Sequence, residues 1–465
     1  MSVKFGTDGW RAIIAKDFTF ENVERLSQAV SNYLLNKKKS PRVVIGFDTR
    51  FLSQEFAKAS SCVFCANNIS VVLSESFLPT PALSFKTKFG GFDLGIMITA
   101  SHNPYYFNGY KIKKSTGAAA DNTLTQQIEA LMDKNSVKKI DFKKALDLGL
   151  LKIEDFKSEY VKFLRRYIDL KVIKKKRLRI CIDSMYGACN KIFSDLLKGT
   201  HVKLNFIRDR VNPYFDGGRP EPTESNLSRL KKEMKKKKFD LGLAFDGDGD
   251  RLAAFTEKGE FIHPQIILPL LCEYLYNSRN WRGSVVKTVV GSFLIDKVCE
   301  KLGLPVREVP IGFKYISAVF EREEVLIGGE EAGGIGFKNY IPERDGSLAG
   351  LLLLEMIAVS KKKISQILKD FYKKYGRFYY LREDIPISKR EINLEKIKLP
   401  SELLGRKIIN INRLDGIKLI TSQSWLMFRK SGTEPLVRIY AEAQTKREAK
   451  ELITLGKKIL FNNAV

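Results

Sequence analysis

FDLGIMIT at residues 92–99 and FDLGLAF at residues 239–245 open with the same four residues, Phe-Asp-Leu-Gly, and continue as apolar runs. A short apolar run bounded by turn residues reads as a strand buried on both faces. What precedes each run is also alike. RVVIGFDTR (42–50) is strand-like, 53–67 helix-like and 69–73 strand-like. LRICIDSMYG (178–187), a helix over 188–198 and VKLNFI (202–207) repeat that order. A third, weaker copy runs through SVVKTVVGS (284–292), a helix over 293–302, LPVREV (304–309) and EVLIGG (324–329). Strands alternating with helices predict mixed, mainly parallel sheets covered on both faces, so the chain reads as three related α/β domains.

After Lys374 the pattern changes. Short alternating strands, among them WLMFR (425–429) and LVRIYAEA (436–443), lead into an amphipathic helix over 446–460, which predicts a smaller α+β domain. The expected divisions are 1–155, 156–256, 257–372 and 373–465. At 465 residues the chain is too long for a single core, so several domains are the natural expectation.

Composition excludes several classes. The longest apolar run, Leu348 to Val359, is broken by Gly350 and Glu355 and is too short to span a bilayer. The N-terminal MSVKFGTDGW has no signal-peptide pattern, so a cytoplasmic protein is expected. Six cysteines in a chain this long are no disulfide framework. Cys62 and Cys65 have a CxxC spacing without a second pair, and read as buried helix thiols. The net charge of +27 calls for an anionic partner. Its lysines fall in short runs between elements, without interleaved aromatics, which fits an anionic small substrate and not a nucleic acid.

Each third strand ends in an unusual loop: TASHNP (99–104), DGDGDR (246–251) and GEEAGG (329–334). In such sheets ligands gather beyond the carboxyl ends of strands. Pro104 forbids a continuing ladder, so the first strand stops and displays Ser101 and His102 in a tight loop. Asp246, Asp248 and Asp250 alternate with glycines, a pattern that wraps carboxylates round a hard cation, magnesium being favoured. An EF-hand fails because position six is Arg251. An apolar strand ending in Asp-x-Asp also fits a phosphatase with Asp246 as nucleophile. Glu330 and Glu331 suit sugar hydroxyls. RKSGTEPLVR (429–438) offers Arg429, Ser431, Thr433 and Arg438 as phosphate donors, with Gly432 letting backbone N–H groups approach.

These four loops, in this order and over essentially the whole chain, resemble those of the α-D-phosphohexomutase family. FGTDGWR (5–11), DSMYGA (183–188) and PEPTESNL (220–227) are similar to further landmarks of that family. The resemblance implies three α/β domains plus a C-terminal TATA-binding-protein-like domain around a central cleft. It implies Ser101 as phosphoryl carrier, with Asp246, Asp248, Asp250 and a phosphoserine oxygen holding Mg2+. It places Arg251, Arg11 and His102 about that phosphoryl group. It makes Lys111, in Asn108-Gly109-Tyr110-Lys111, the general acid/base, a role that needs burial and neighbouring positive charge to lower its pKa. The substrate would be a hexose phosphate, with hexose 1,6-bisphosphate as intermediate. Gly312-Phe313-Lys314 resembles the glucomutase-type loop, with Lys314 on the substrate, and favours glucose over mannose. Ala332 stands where the family's sugar loop usually has serine.

Overall fold

The computed structural model describes residues 3–387, 394, 397–430 and 436–462. The three related units are present, and their sheets share one plan. In the first, Arg42–Phe47 lies between Ser70–Ser74 and Leu94–Ile98, parallel to both. Arg179–Asp183 is placed likewise between Lys203–Ile207 and Leu241–Phe245, and Ser284–Thr288 between Val306–Val309 and Val325–Gly329. Each third strand is then followed by a strand that turns back along it. Phe107–Lys114, Leu252–Thr256 and Ile335–Phe337 return antiparallel, in the registers Ile98↔Tyr110, Leu252↔Phe245 and Gly329↔Ile335. The three loops singled out in the sequence are therefore the tips of three equivalent hairpins. Trp10–Ile13 and Leu151–Glu154 extend the first sheet to six strands, and Phe261–Ile262 closes the second at five.

The run expected to be too short for a membrane forms the helix Gly346–Ser360, apolar on every side and buried from Gly346 to Ala358. A helix without a polar face must be surrounded. It packs against the second unit's sheet: a side chain at Gly350 would meet Leu243, Phe193 and Phe245 at 3.2–3.4 Å. One apolar core consequently runs from the first unit (Leu83, Met97) through the second (Ile182, Phe245) into the third (Leu351, Phe371). Among the described residues no helix is long and apolar enough to cross a membrane.

One expected helix is much shorter than read. In place of 188–198 the helix covers Ile192–Leu196. Residues 184–191 form turns instead, because Ala188 N–H is drawn to the carbonyl of Gly247, 2.9 Å away in the aspartate loop.

The fourth unit is an antiparallel sheet ordered Tyr379–Pro386, Leu436–Ala443, Trp425–Lys430, Ile417–Ile420, Asn410–Asn412, packed on the helix Lys446–Asn462. It docks on the third unit. Trp425, Met427 and Tyr440 pack with Val289 and Val290. Glu442 Oε1 accepts from Phe293 N–H at 2.8 Å, and Lys418 Nζ donates to Val289 O at 2.5 Å.

Asp345 ties the central helix to the second unit. It caps the helix through Leu348 N–H (2.9 Å) and accepts from the hydroxyls of Tyr160 (2.9 Å) and Tyr340 (2.9 Å). Burial pushes its carboxyl up to about 6, although these hydrogen bonds oppose the shift. An acid whose folded pKa exceeds its unfolded value of about 4 stabilises most below that value and loses the contribution as pH rises through the folded pKa. Urea unfolding of the wild type minus that of Asp345→Asn should therefore show a stability difference that declines between about pH 4 and about pH 6. A difference that rises or stays flat over that window contradicts the assignment.

Candidate active site

Ser101 lies just beyond the strand Leu94–Ile98 and takes up φ 53°, a left-handed conformation that is strained for a residue with a side chain. Its surroundings hold it there. Ser101 N–H donates to Thr99 Oγ1 at 2.9 Å, and Thr99 Oγ1 donates to Asp48 Oδ2 at 2.5 Å. Arg50, wholly buried, donates to the carbonyls of Ser101 (2.6 Å), Asn103 (2.7 Å), Pro104 (2.9 Å) and Phe107 (3.1 Å). One guanidinium thus gathers the carbonyls of the whole turn. Asp48, 3.3 Å from Arg50 Nε, balances its charge. Reading 42–50 simply as a strand passes over both side chains. The charged end of DTR, after an apolar strand, is the signal that could have found them.

Ser101 Oγ lies 2.9 Å from Asp246 Oδ2 and 3.3 Å from His102 Nδ1. The two loops touch backbone to backbone: a Cβ at Gly247 would sit 2.3 Å from Ser101 O, so glycine is required there. Asp246, Asp248 and Asp250 are buried, with one oxygen of each inside a 4.8 Å cluster. Asp248 Oδ1 and Asp250 Oδ1 are buried without a hydrogen-bond partner. Buried carboxylate oxygens left open in this way fit a small hard divalent cation. The loop is braced from both sides. Thr80 of the first unit donates to Asp248 Oδ2 at 2.5 Å, and Gly346 N–H of the third donates to Gly249 O at 3.2 Å.

Cations surround the cluster. Arg11 Nη1 donates to Asn103 Oδ1 at 2.9 Å, which places it at the serine loop. Arg251 follows the aspartates, with its Nε 4.0 Å from Asp250 Oδ1. Burial, then Arg251, Arg11 and Lys111, hold His102 well below the ordinary imidazole range, so the ring is neutral at physiological pH. Burial raises Asp246, and Asp250 and Asp248 push it further. Burial would also raise Asp248, but Lys111, Thr80 and Arg344 outweigh it and hold this carboxyl below the usual range.

Lys111 differs from expectation. It is buried, as the general acid/base role requires, but its nearest neighbours are carboxylates: Asp248 at 2.7 Å, Asp8 at 2.7 Å and Asp250 at 3.2 Å. Burial would lower its pKa, yet these three together hold it above the ordinary lysine value. Neighbouring positive charge does not set this lysine; the aspartates do.

Arg344, which no sequence motif singles out, joins the three units. Its Nε lies 2.8 Å from Asp250 Oδ2, its Nη1 donates to Glu330 Oε2 at 3.0 Å, and its Nη2 pairs with Asp8. Burial pushes Glu330 up to about 7 and Glu331 adds to this, while Arg344 opposes both. The backbone of GEEAGG also meets the aspartate loop, since Leu252 N–H donates to Gly333 O at 3.0 Å.

Lys314 stands at the start of the helix Phe313–Phe320 and donates to Asn122 Oδ1 at 2.6 Å. Gly312 beside it approaches Thr7 of the FGTDGWR stretch, where a Cβ would meet the Thr7 methyl at 2.7 Å. Arg429 and Arg438 face each other across adjacent strands of the fourth unit. Arg429 Nε pairs with Asp415 at 3.0 Å and Arg438 Nε lies 3.7 Å from Asp384. Asp415 also accepts from Ile311 N–H at 2.9 Å, which links this strand pair to the loop that carries Lys314. Ser431, Gly432 and Thr433 lie outside the described residues.

A fold of three hairpin-tipped α/β units and a fourth antiparallel unit, with a serine against three buried aspartates, matches one class of enzyme. Family models for phosphoglucomutase/phosphomannomutase α/β/α domains I, II and III match residues 2–139, 158–259 and 263–375, and the model of the C-terminal domain matches 392–454. The chain belongs to this family, the α-D-phosphohexomutases, whose members are enzymes of phosphosugar isomerisation. It is 30% identical over 463 residues to a phosphoglucomutase/phosphomannomutase of Thermococcus kodakarensis, covering 99% of each chain. It is 28% identical over 462 residues to a phosphoglucosamine/phosphogalactosamine mutase of Sulfurisphaera tokodaii, again covering 99% of each. A solved structure assigned as a phosphomannomutase from Thermus thermophilus superposes with a TM-score of 0.88 at 32% identity, covering 99% of this chain and 100% of that one.

Removing Arg344 takes their common partner from Asp250, which is buried, and from Asp8 and Glu330, which are nearly so. Breaking a buried ion pair from one side costs about 3–5 kcal/mol. Arg344→Ala should lose stability of about that size in urea unfolding. Arg344→Lys should recover only part, because one ammonium cannot reach three carboxylates held by three different guanidinium nitrogens. Wild-type unfolding in Arg344→Ala would show the cluster to be energetically idle.

Proposed function

We propose that this phosphohexomutase interconverts hexose 1-phosphate and hexose 6-phosphate, with glucose as the favoured sugar, through a phosphoserine at Ser101 and a hexose 1,6-bisphosphate. The observation that carries the reading is Ser101 Oγ, strained into place at a hairpin tip 2.9 Å from Asp246, with Arg11, Arg251 and Lys111 around the cluster. A serine held in this way is poised to carry a dianionic group among cations.

Asp246, Asp248 and Asp250 would hold Mg2+ together with an oxygen of the phosphorylated serine. When bound, the metal neutralises charge on the transferring phosphoryl group. Arg251 and Arg11 stabilise the charge that spreads over its equatorial oxygens. Lys111 would relay the proton of the attacking or leaving sugar hydroxyl once a cation on Asp248 and Asp250 cancels the carboxylates that now hold its pKa up. His102, neutral and 3.3 Å from Ser101 Oγ, is placed to accept a hydrogen bond from the serine after phosphate has left. Glu330 orients the sugar hydroxyls, with Lys314 at the same rim. Arg429 and Arg438, with Ser431, Gly432 and Thr433, bind the phosphate that is not reacting. Arg429 and Arg438 stand directly opposed across a ladder, which sets two guanidinium groups side by side to share one phosphate. The preference for glucose rests on Gly312-Phe313-Lys314. Mannose is the second reading, since the Thermococcus kodakarensis relative carries both names.

Two experiments test this. The purified protein should carry partial phosphate on Ser101 that survives neutral hydroxylamine. In a coupled assay with catalytic hexose 1,6-bisphosphate, glucose 1-phosphate should turn over faster than mannose or glucosamine 1-phosphate. A hydroxylamine-labile phosphate on Asp246 would overturn the serine mechanism, and a faster reaction with either other sugar would overturn only the substrate choice. Arg429→Ala should weaken both glucose 1-phosphate and glucose 6-phosphate by roughly tenfold or more, the loss of a charge-assisted contact of about 1.5–3 kcal/mol. Loss of one phosphosugar alone contradicts a shared clamp in which the intermediate reorients.

A further inference from the structure

On the second unit, lined by neither the serine nor the aspartates, lies an open cavity of about 350 Å³. This is the size range of small-molecule sites. Its wall carries five cations, Arg208, Arg210, Arg229, Lys232 and Lys236, against two acids, Asp209 and Glu233. Arg208 is already neutralised, forming a two-pronged pair with buried Asp183, and its side chain is only 13% exposed. Arg229 is paired with Asp216 at 2.9 Å and donates to the Tyr186 hydroxyl at 3.1 Å. Glu233 faces Lys237 at 3.5 Å. Arg210, Lys232 and Lys236 remain; among the described residues their side chains make no hydrogen bond or close ion pair, and Arg210 feels Asp216, already paired with Arg229, only at longer range.

The helix that carries these lysines concentrates the charge further. In Ser228–Lys236, Arg229, Lys232 and Lys236 share one face at helical spacing, apart from the buried Leu230 and Met234. Like charges four residues apart destabilise a helix. This face also lines the same cavity as Arg208 and Arg210. With Asp209 set against the three unpaired cations, the excess charge is about that of one dianion.

We propose that this cavity is a second anion site, which takes the phosphate of a small phosphate monoester and is separate from the phosphosugar cleft. Arg210, Lys232 and Lys236 hold the phosphate, Arg208 and Arg229 form the rigid wall, and the Tyr186 ring and Ile207 leave room for the organic body. The site is mechanically linked to the metal loop. Tyr186, at φ 61°, is fixed by its N–H to Arg208 O (2.8 Å) and by its carbonyl, which accepts from Thr49 Oγ1 (2.9 Å). The next residue, Gly187, packs so tightly that a Cβ would lie 2.7 Å from Gly247 O and 2.8 Å from Asp246 O. A ligand that shifts Tyr186 therefore pushes on the backbone of the aspartate loop.

Calorimetric titration with inorganic phosphate and with AMP tests the proposal, carried out on Arg429→Ala to weaken the phosphosugar clamp. Both probes should bind Arg429→Ala. Adding Lys232→Ala and Lys236→Ala should weaken that binding at least tenfold, while the same two substitutions in the otherwise wild-type chain leave mutase turnover unchanged. Both lysines are exposed and their loss relieves like-charge repulsion, so circular dichroism should match the parent and unfolding should occur at no lower urea concentration. The proposal is overturned if Arg429→Ala binds neither probe at millimolar concentration or if the lysine substitutions leave binding intact. It is equally overturned if they abolish turnover together with binding, since the event then belongs to the catalytic cleft. Binding of phosphate without AMP overturns the assignment to a monoester.

Discussion

Arg344 meets three carboxylates from three separate units: Asp8 from the first, Asp250 from the second and Glu330 from the third. Each anion is buried or nearly so, and burying a charge without a partner is among the costliest events in folding. Together with the shared apolar core, this favours the arrangement of the units that brings all three carboxylates to one guanidinium. The geometry of the site is a consequence of this docking. Ser101 reaches Asp246, and Thr80 reaches Asp248, across the same junction.

A second buried arginine works within the first unit. Arg50 collects four carbonyls of one turn, and this lets the chain bend at Ser101 in a conformation that an ordinary residue avoids. The two arginines divide the work. Arg50 shapes the serine loop, and Arg344 sets that loop's unit against the aspartates and Glu330. Neither depends on the fourth unit, whose polar anchors, Glu442 to Phe293, Lys418 to Val289 and Asp415 to Ile311, run to the third.

Most of the architecture is legible in the sequence because it is periodic. Repeated FDLG runs, alternating helices and four distinctive loops are local patterns, and local patterns survive in a one-dimensional string. The antiparallel return strands escape such a reading, since a hairpin tip rich in glycine, aspartate or proline has the same composition as any other loop. The helix over 188–198 is over-read because helical propensity is a weak local preference, and the carbonyl of Gly247, from a loop distant in sequence, competes for the N–H of Ala188.

The candidate site divides along the same line. Sequence by itself determined which chemical groups are present: a serine after a strand, three aspartates at alternate positions, two glutamates among glycines and a pair of arginines around a glycine. Only the tertiary structure decided what those groups feel. Lys111 reads as a base awaiting positive neighbours, yet it lies among three carboxylates. Arg50 and Arg344 are singled out by none of the loop motifs in the sequence, yet they organise the loops. The charge state and orientation of a buried group are set by whatever lies within a few ångströms, and those neighbours come from positions up to 336 residues apart, as Asp8 and Arg344 do.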